Sequence, residues 1–268
     1  MGLWRAMVER VARAGSAQAL NVVAFSGGVD SSVVAALVYE AFPRNSVACL
    51  GVSAALPADQ LGLARKIAGE IGIQLLETPT TEGEDPLYVE NRGQSCYHCK
   101  TNLRGSVDKP FLFNGTNADD KLDPTRLGLI AASEFRVVSP LEDLSKAHVR
   151  ALANERGLLN WNFAASPCLR SRLAFGVSAT ADHLKRVEAA ETFARSFLQL
   201  APQDNLRVRF LPQNHAAVEL DAARHASVTS EERNTLAVHC AELGFAETVV
   251  RPFRSGSLSL PPPPGLTH

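Results

Sequence analysis

The sequence predicts an α/β fold, a doubly wound parallel sheet followed by a smaller C-terminal α+β domain. Three observations predict it. Short apolar runs alternate with helical stretches through the first half of the chain. The first of these runs ends in a glycine-rich turn that opens a helix. After an irregular stretch, a second block alternates helices with short strands.

The elements follow in order. Residues 21–25 (NVVAF) form a short apolar run, which reads as a buried strand. An apolar helix over 32–42 is stopped by Pro43. Residues 47–53 (VACLGVS) are a second buried strand, 58–71 a second helix and 73–77 a third strand. Fourth and fifth strands are expected at 111–114 (FLFN) and 136–138. The turn after the first strand then lies at the carboxyl edge of the sheet, where such folds bind ligands. A loop around 96–100 and an irregular stretch over 162–176 interrupt the rhythm. Beyond them come a helix over 180–200, strands at 206–211 and 216–220, a helix over 229–243 and a last strand at 247–250. The expected domains are 1–176 for the nucleotide-binding sheet, 177–254 for a substrate or oligomerisation unit, and a Pro-rich flexible tail over 255–268.

The whole chain excludes several classes. With 46% hydrophobic residues in 268, it can bury a real core. A formal net charge of -1 gives no global footprint for nucleic acid, so none is expected as a partner. Five cysteines, an odd number, do not suggest a disulfide framework; a reducing, cytoplasmic setting follows. No run is long enough to span a membrane. Residues 1–20 read as an amphipathic helix whose Arg5, Arg10 and Arg13 fit a transit peptide, an idea that Glu9 weighs against.

The strongest motif is residues 25–32 (FSGGVDSS). Gly27 and Gly28 let the backbone approach an anion closely, and Ser26, Ser31 and Ser32 offer hydroxyl donors. The amides that open the next helix add the positive end of its dipole. Asp30 would repel phosphate, so its carboxylate suits holding Mg²⁺ or organising the loop. At 114–120 (NGTNADD) a glycine turn at the same edge either presents Asn117 and Asp119 to nucleotide or metal or is a polar loop with Asp as a helix N-cap. Ser53, the last residue of the second strand, is a further nucleotide-binding candidate.

Cysteines mark a second chemistry. Cys96 and Cys99 have the C-x-x-C spacing of a metal clip or redox pair, and two thiolates alone cannot complete a tetrahedral site. Cys168 is flanked by Arg170 and Arg172, which would favour its thiolate. The three suit either an iron–sulfur cluster with one iron left open, or one reactive thiol with a supporting pair. Cys49 and Cys240 read as small core residues.

The loop lacks the ending of a Walker A motif and is similar to the SGGxDS loop of the PP-loop ATP pyrophosphatases (adenine nucleotide α-hydrolase-like), which cleave ATP between its α and β phosphates. Read in order, the stretches 25–32, 96–100 (CYHCK), 114–120, 139–153 (SPLEDLSKAHVRALA), 167–176 (PCLRSRLAFG), 207–209 (RVR) and 253–257 (FRSGS) resemble the LarE family of ATP-dependent sulfur transferases. That family helps build the nickel-pincer nucleotide cofactor of lactate racemase. The resemblance implies adenylation of a carboxylate on a small pyridinium dicarboxylate mononucleotide-like substrate, with pyrophosphate release, followed by sulfur insertion. It implies ATP with Mg²⁺ at Ser26, Gly27, Gly28, Asp30, Ser31 and Ser32, and sulfur from Cys168 or from a 4Fe–4S cluster on Cys96, Cys99 and Cys168. Arg207 and Arg209 alternate on a strand and so share a face, where with Glu191 they would bind the substrate phosphate. A homo-oligomer is also implied.

The chain departs from the family at two places. Where the family tends to read Trp-Asp-Lys-Pro, this sequence has Trp161-Asn162-Phe163-Ala164, and a Pro-Gly-x-Arg pattern is replaced by Leu127-Gly128-Leu129-Ile130. These touch the substrate more than the ATP chemistry. A tRNA-thiolating PP-loop enzyme would want a basic face for phosphates, which the charge balance does not offer. An ammonia-using amidotransferase-type synthetase would leave the three cysteines without work. A non-catalytic nucleotide sensor or cluster carrier would bind ATP without releasing pyrophosphate.

Overall fold

The computed structural model describes residues 2–91, 111–121, 137–256 and 258. They divide between two compact units, one drawn from Met1–Thr81 and Cys96–Asn162, the other from Glu82–Ser95 and Phe163–His268. The sequence puts the division at 176/177; the second unit instead takes in Phe163–His268 together with the earlier stretch Glu82–Ser95.

In the first unit, strands β1 (Asn21–Ala24), β2 (Ser46–Val52), β3 (Gln74–Pro79) and β4 (Phe111–Phe113) form one parallel sheet in the order β3-β2-β1-β4. The chain winds outward from β1 to β3 and then returns to the other side of β1. That reversal is the topological switch of a doubly wound sheet, the place at whose carboxyl edge such sheets bind ligands. Helices α1 (Leu3–Ala14), α2 (Val29–Ala41) and α3 (Ala58–Ile71) flank the sheet, with α6 (Lys146–Glu155) packed on α2. Trp4, Val11, Leu37, Ile67, Phe113 and Leu152 contribute to their shared core. Val22, Val47 and Cys49 form a smaller cluster, with Cys49 in the core role expected of it.

Two boundaries differ from the sequence reading, each for a local reason. Helix α2 begins at Val29, not at 32, because Gly28 takes the extended N-cap conformation and Ser32 N–H already bonds back to Gly28 C=O at 3.0 Å. The fifth strand shrinks to a single parallel bridge between Val138 and Phe113; residue 136 lies outside the described residues. Short helices at α4 (Pro86–Val89) and α5 (Ala118–Lys121) complete the described segments before α6.

The second unit holds α7 (Ala181–Phe197), β5 (Leu206–Leu211), β6 (His215–Leu220), α8 (Ala222–Ser227), α9 (Ser230–Glu242) and β7 (Glu247–Pro252). Its sheet runs β5-β6-β7, antiparallel then parallel. Strand alternation puts Leu206, Val208 and Phe210 on one face and Arg207 and Arg209 on the other. Helix α7 is capped by the side chain of Thr180, just before its first residue, and α9 carries a full capping box between Thr229 and Glu232. Cys240 is buried, and burial pushes its thiol pKa up, as befits a core residue. The tail over 259–268 lies outside the described residues.

Candidate active site

In the first unit the loop between β1 and α2 is held from behind by two neutral amides. Gln60 Nε2 donates to Ser26 C=O at 2.6 Å, and Asn160 Nδ2 donates to Gly27 C=O at 2.8 Å and to Ser32 Oγ at 3.1 Å. Asn160 is 1% exposed, so these bonds form away from water. Gly27 has φ +71°, and a Cβ there would meet the Ala64 backbone at 2.9 Å; only glycine fits. Ser31 Oγ donates to Gly28 C=O at 3.0 Å and accepts from Ser26 N–H at 3.2 Å. Ser32 Oγ also donates to Gly28 C=O, at 2.9 Å.

With its carbonyls engaged in this way, the loop leaves a donor surface. Gly28 brings no side chain to cap α2, and the amides of Val29, Asp30 and Ser31 lie in the first turn, where no intrahelical acceptor exists. The exposed Ser26 hydroxyl sits beside them. Such an N-terminus receives phosphate oxygens readily, so the loop fits the triphosphate that the sequence implies.

Asp30, the one anion in the loop, is neutralised. Its carboxylate forms an ion pair with Lys146 Nζ and accepts from Asn117 Nδ2 at 3.1 Å. Gly115 makes this approach possible: a Cβ on it would meet Ser31 N at 2.8 Å and Asp30 Cβ at 3.0 Å. Asn117 is buried and exchanges bonds with Asp120, its Oδ1 accepting from Asp120 N–H at 3.1 Å. Asp119 accepts from Lys146 N–H at 2.9 Å, which ties the 114–120 turn to the start of α6. Ser53 stands just past the carboxyl end of β2, its Oγ accepting from Ala55 N–H at 3.2 Å.

The second unit carries the other expected site residues. Cys168 is exposed and stands at the N-cap of a 3₁₀ turn, Leu169–Arg172. Arg172 is 1% exposed and turns inward, forking onto Glu191 through Nε at 2.9 Å and Nη2 at 3.1 Å. Glu191 Oε1 also accepts from Val208 N–H at 3.0 Å. Across the sheet, Glu219 is fully buried and accepts from Arg209 Nε at 2.7 Å and from Arg251 Nη2 at 2.8 Å. Register sets Arg207 directly opposite Glu219, yet that carboxylate is taken by the other two arginines. Arg207 instead donates to the Ala165 and Leu206 carbonyls and has no ion pair to a carboxylate among the described residues. Burial, then the neighbouring charge of Arg172, pushes its pKa down to about 10.

Cys96 and Cys99, and the departure at 127–130, lie outside the described residues. Among the described residues no three His, Cys, Asp or Glu side chains converge to hold a metal ion, and no helix is long and apolar enough to cross a membrane. Sequence reasoning missed Lys146, Asn160, Gln60 and Glu219. Lys146 sits in the quoted stretch 139–153 and follows the N-cap Ser145, a signal for a helix start near the nucleotide edge. Nothing local marks Asn160, whose partners are 128 and 133 residues away.

Comparisons with known proteins agree with this geometry. A family model described as NAD synthase matches residues 3–105, the stretch that contains the loop. The chain is 34% identical over 212 residues to pyridinium-3,5-bisthiocarboxylic acid mononucleotide synthase of Lactiplantibacillus plantarum, covering 75% of each chain. It is 36% identical over 208 residues to the uncharacterized protein slr1717 of Synechocystis sp., covering 74% of this chain and 75% of that one. With such identity over three quarters of both partners, and with the SGGVDS loop at a sheet's switch point, the chain belongs to the LarE family of PP-loop, ATP-using enzymes.

Proposed function

We propose that this enzyme is an ATP-dependent sulfur transferase that activates a carboxylate of a small nucleotide and then replaces AMP by sulfur. One observation carries the reading: a single chain combines an anion-receiving loop at Ser26–Ser32 with an exposed cysteine, Cys168, on a segment pinned by buried arginines. The activity in the L. plantarum relative's name supports the acceptor, pyridinium-3,5-biscarboxylic acid mononucleotide, the oxygen counterpart of that product.

In the first step the substrate carboxylate attacks the α-phosphorus of ATP, the bond to the β-phosphate breaks and pyrophosphate leaves. The amides of Val29, Asp30 and Ser31 and the hydroxyl of Ser26 bind the phosphates, and Lys146 supplies positive charge beside them. Mg²⁺ with a nucleotide needs only one or two carboxylates besides the phosphates, and Asp30 offers one. Asn117, Asp119 and Ser53 line the same edge. In the second step the Cys168 thiolate attacks the acyl carbon and AMP departs, leaving a thioester. Loss of the Cys168 Cα proton then breaks the Cβ–Sγ bond, releasing a thiocarboxylate and leaving dehydroalanine at 168. Arg207, which forms no close ion pair with a carboxylate among the described residues, binds the substrate phosphate, with Arg209 beside it.

A second reading draws on the three thiols of Cys96, Cys99 and Cys168 as ligands of a 4Fe–4S cluster, which when bound supplies the sulfide and spares Cys168. In both readings the enzyme works as a cytoplasmic homo-oligomer on a small molecule, not on RNA. Anaerobic reconstitution with iron and sulfide, followed by mass spectrometry of the Cys168 peptide after turnover, separates the two. A peptide lighter by one H₂S supports the sacrificial thiol. Intact Cys168 with bound iron and sulfide supports the cluster. The absence of both outcomes, with Cys168→Ala still fully active, overturns the proposal.

A further inference from the structure

The segment around Cys168 is held by its carbonyls, four of them by arginine. Arg207 Nη2 donates to Ala165 C=O, Arg172 Nη1 to Pro167 C=O and, at 3.1 Å, to Cys168 C=O, and Arg209 Nη1 to Ser171 C=O at 3.1 Å. The Pro167 and Cys168 carbonyls belong to the two peptide planes that flank the Cys168 Cα. Fixing both planes fixes φ and ψ of Cys168 and hence the direction of its Cα–Cβ bond; only χ1 then swings the sulfur. Ser171 supports the same carbonyl, with N–H at 3.0 Å and Oγ at 2.8 Å.

Among the described residues, Arg172 is the one arginine that grips both planes. It is itself fixed: Glu191 takes two of its nitrogens, and Glu191 is anchored to β5 through Val208 N–H. A buried Arg–Glu pair is weak evidence of stabilisation, since apolar residues of similar volume often serve as well. Here the fork leaves Nη1 aimed at the backbone beneath an exposed thiol. A hydrocarbon side chain could fill the space but could not hold those planes.

We infer that Arg172, locked by Glu191, is the positioning residue that aims the Cys168 sulfur at the activated substrate. Glu191 thereby acts through Arg172 on the cysteine. The inference rests on the sulfur-transfer reading and concerns its second step alone.

The test uses the full chain with ATP and pyridinium-3,5-biscarboxylic acid mononucleotide, and reads thiocarboxylate formed per pyrophosphate released. A misaimed thiol lets water take the acyl adenylate, so the ratio falls. Arg172→Lys keeps the charge but loses the fork, and the expected fall in the ratio is about tenfold or more. Glu191→Gln leaves Arg172 in place with a weaker anchor and lowers the ratio in the same direction; it decides the matter if Arg172→Lys does not fold. A ratio equal to wild type in Glu191→Gln and in folded Arg172→Lys overturns the inference. So does a parallel fall of both products at constant ratio, the mark of a merely structural role. Cys168→Ala is run alongside: thiocarboxylate formed by it at the wild-type rate defeats delivery of sulfur through Cys168, and the positioning role with it, whereas no thiocarboxylate from the wild type itself defeats the sulfur-transfer reading.

Discussion

The nucleotide loop and the cysteine segment solve one problem in opposite ways. Both are irregular stretches whose carbonyls must be held so that another group faces outward. Behind the loop the holders are neutral amides, Gln60 on Ser26 C=O and Asn160 on Gly27 C=O. Behind the cysteine segment they are guanidinium groups, Arg172, Arg207 and Arg209. Neutral holders fit a loop whose outward face already carries the helix's positive end and whose one carboxylate, Asp30, is offset by Lys146. Charged holders add positive potential where the substrate phosphate and the thiol are proposed to meet. They also require counter-ions, which the part-buried Glu191 and the fully buried Glu219 provide.

The contrast can be broken hardest at Glu219. Glu219→Ala strips the counter-ion from Arg209 and Arg251 and leaves Arg209 buried and unpaired, at an expected cost of about 3–5 kcal/mol. Urea unfolding of the variant checks it, and a loss below about 1 kcal/mol would show that the arginines find other partners. On the loop side the sharpest substitution is Gly27→Ala. The positive φ and the contact with Ala64 give an expected cost of about 1–3 kcal/mol, with ATP-dependent pyrophosphate release nearly abolished. Asn160→Ala comes next. It leaves Gly27 C=O without its buried donor, and a penalty of about 1–3 kcal/mol is expected to lower pyrophosphate release while a thermal melt still shows a folded protein.

The smallest effect concerns Arg207. Its pKa is depressed to about 10, so burial of its charge costs stability at neutral pH; this cost is relieved only as pH rises through 10 toward the unfolded value. An added anion relieves it at neutral pH. Sulfate is expected to raise the wild-type Tm by about 2–4 °C for each kcal/mol of linkage, and Arg207→Met should lose most of that response. An equal rise in both proteins would show that the anion binds elsewhere.

How far the sequence carried these features follows from the range of the interactions. The loop was legible because its message is local: two glycines, three serines and a helix start within eight residues. The apolar strands that order the parallel sheet were legible for the same reason. Lys146 and Asn160 were not, because each acts on the loop across more than a hundred residues of chain. Arg207 and Arg209 were legible as a pair on one strand face, but not which of them would take the carboxylate. Register alone gives Glu219 to Arg207, whereas side-chain reach gives it to Arg209 and Arg251. Arg172 was visible beside Cys168, and its inward turn toward Glu191 was not.

The division of labour between activation at the loop and delivery at Cys168 is tested most directly by one comparison. Wild type and Cys168→Ala are incubated with ATP and pyridinium-3,5-biscarboxylic acid mononucleotide, and pyrophosphate and thiocarboxylate are measured together. Cys168→Ala is expected to release pyrophosphate and to form no thiocarboxylate. Thiocarboxylate from Cys168→Ala at the wild-type rate would contradict it.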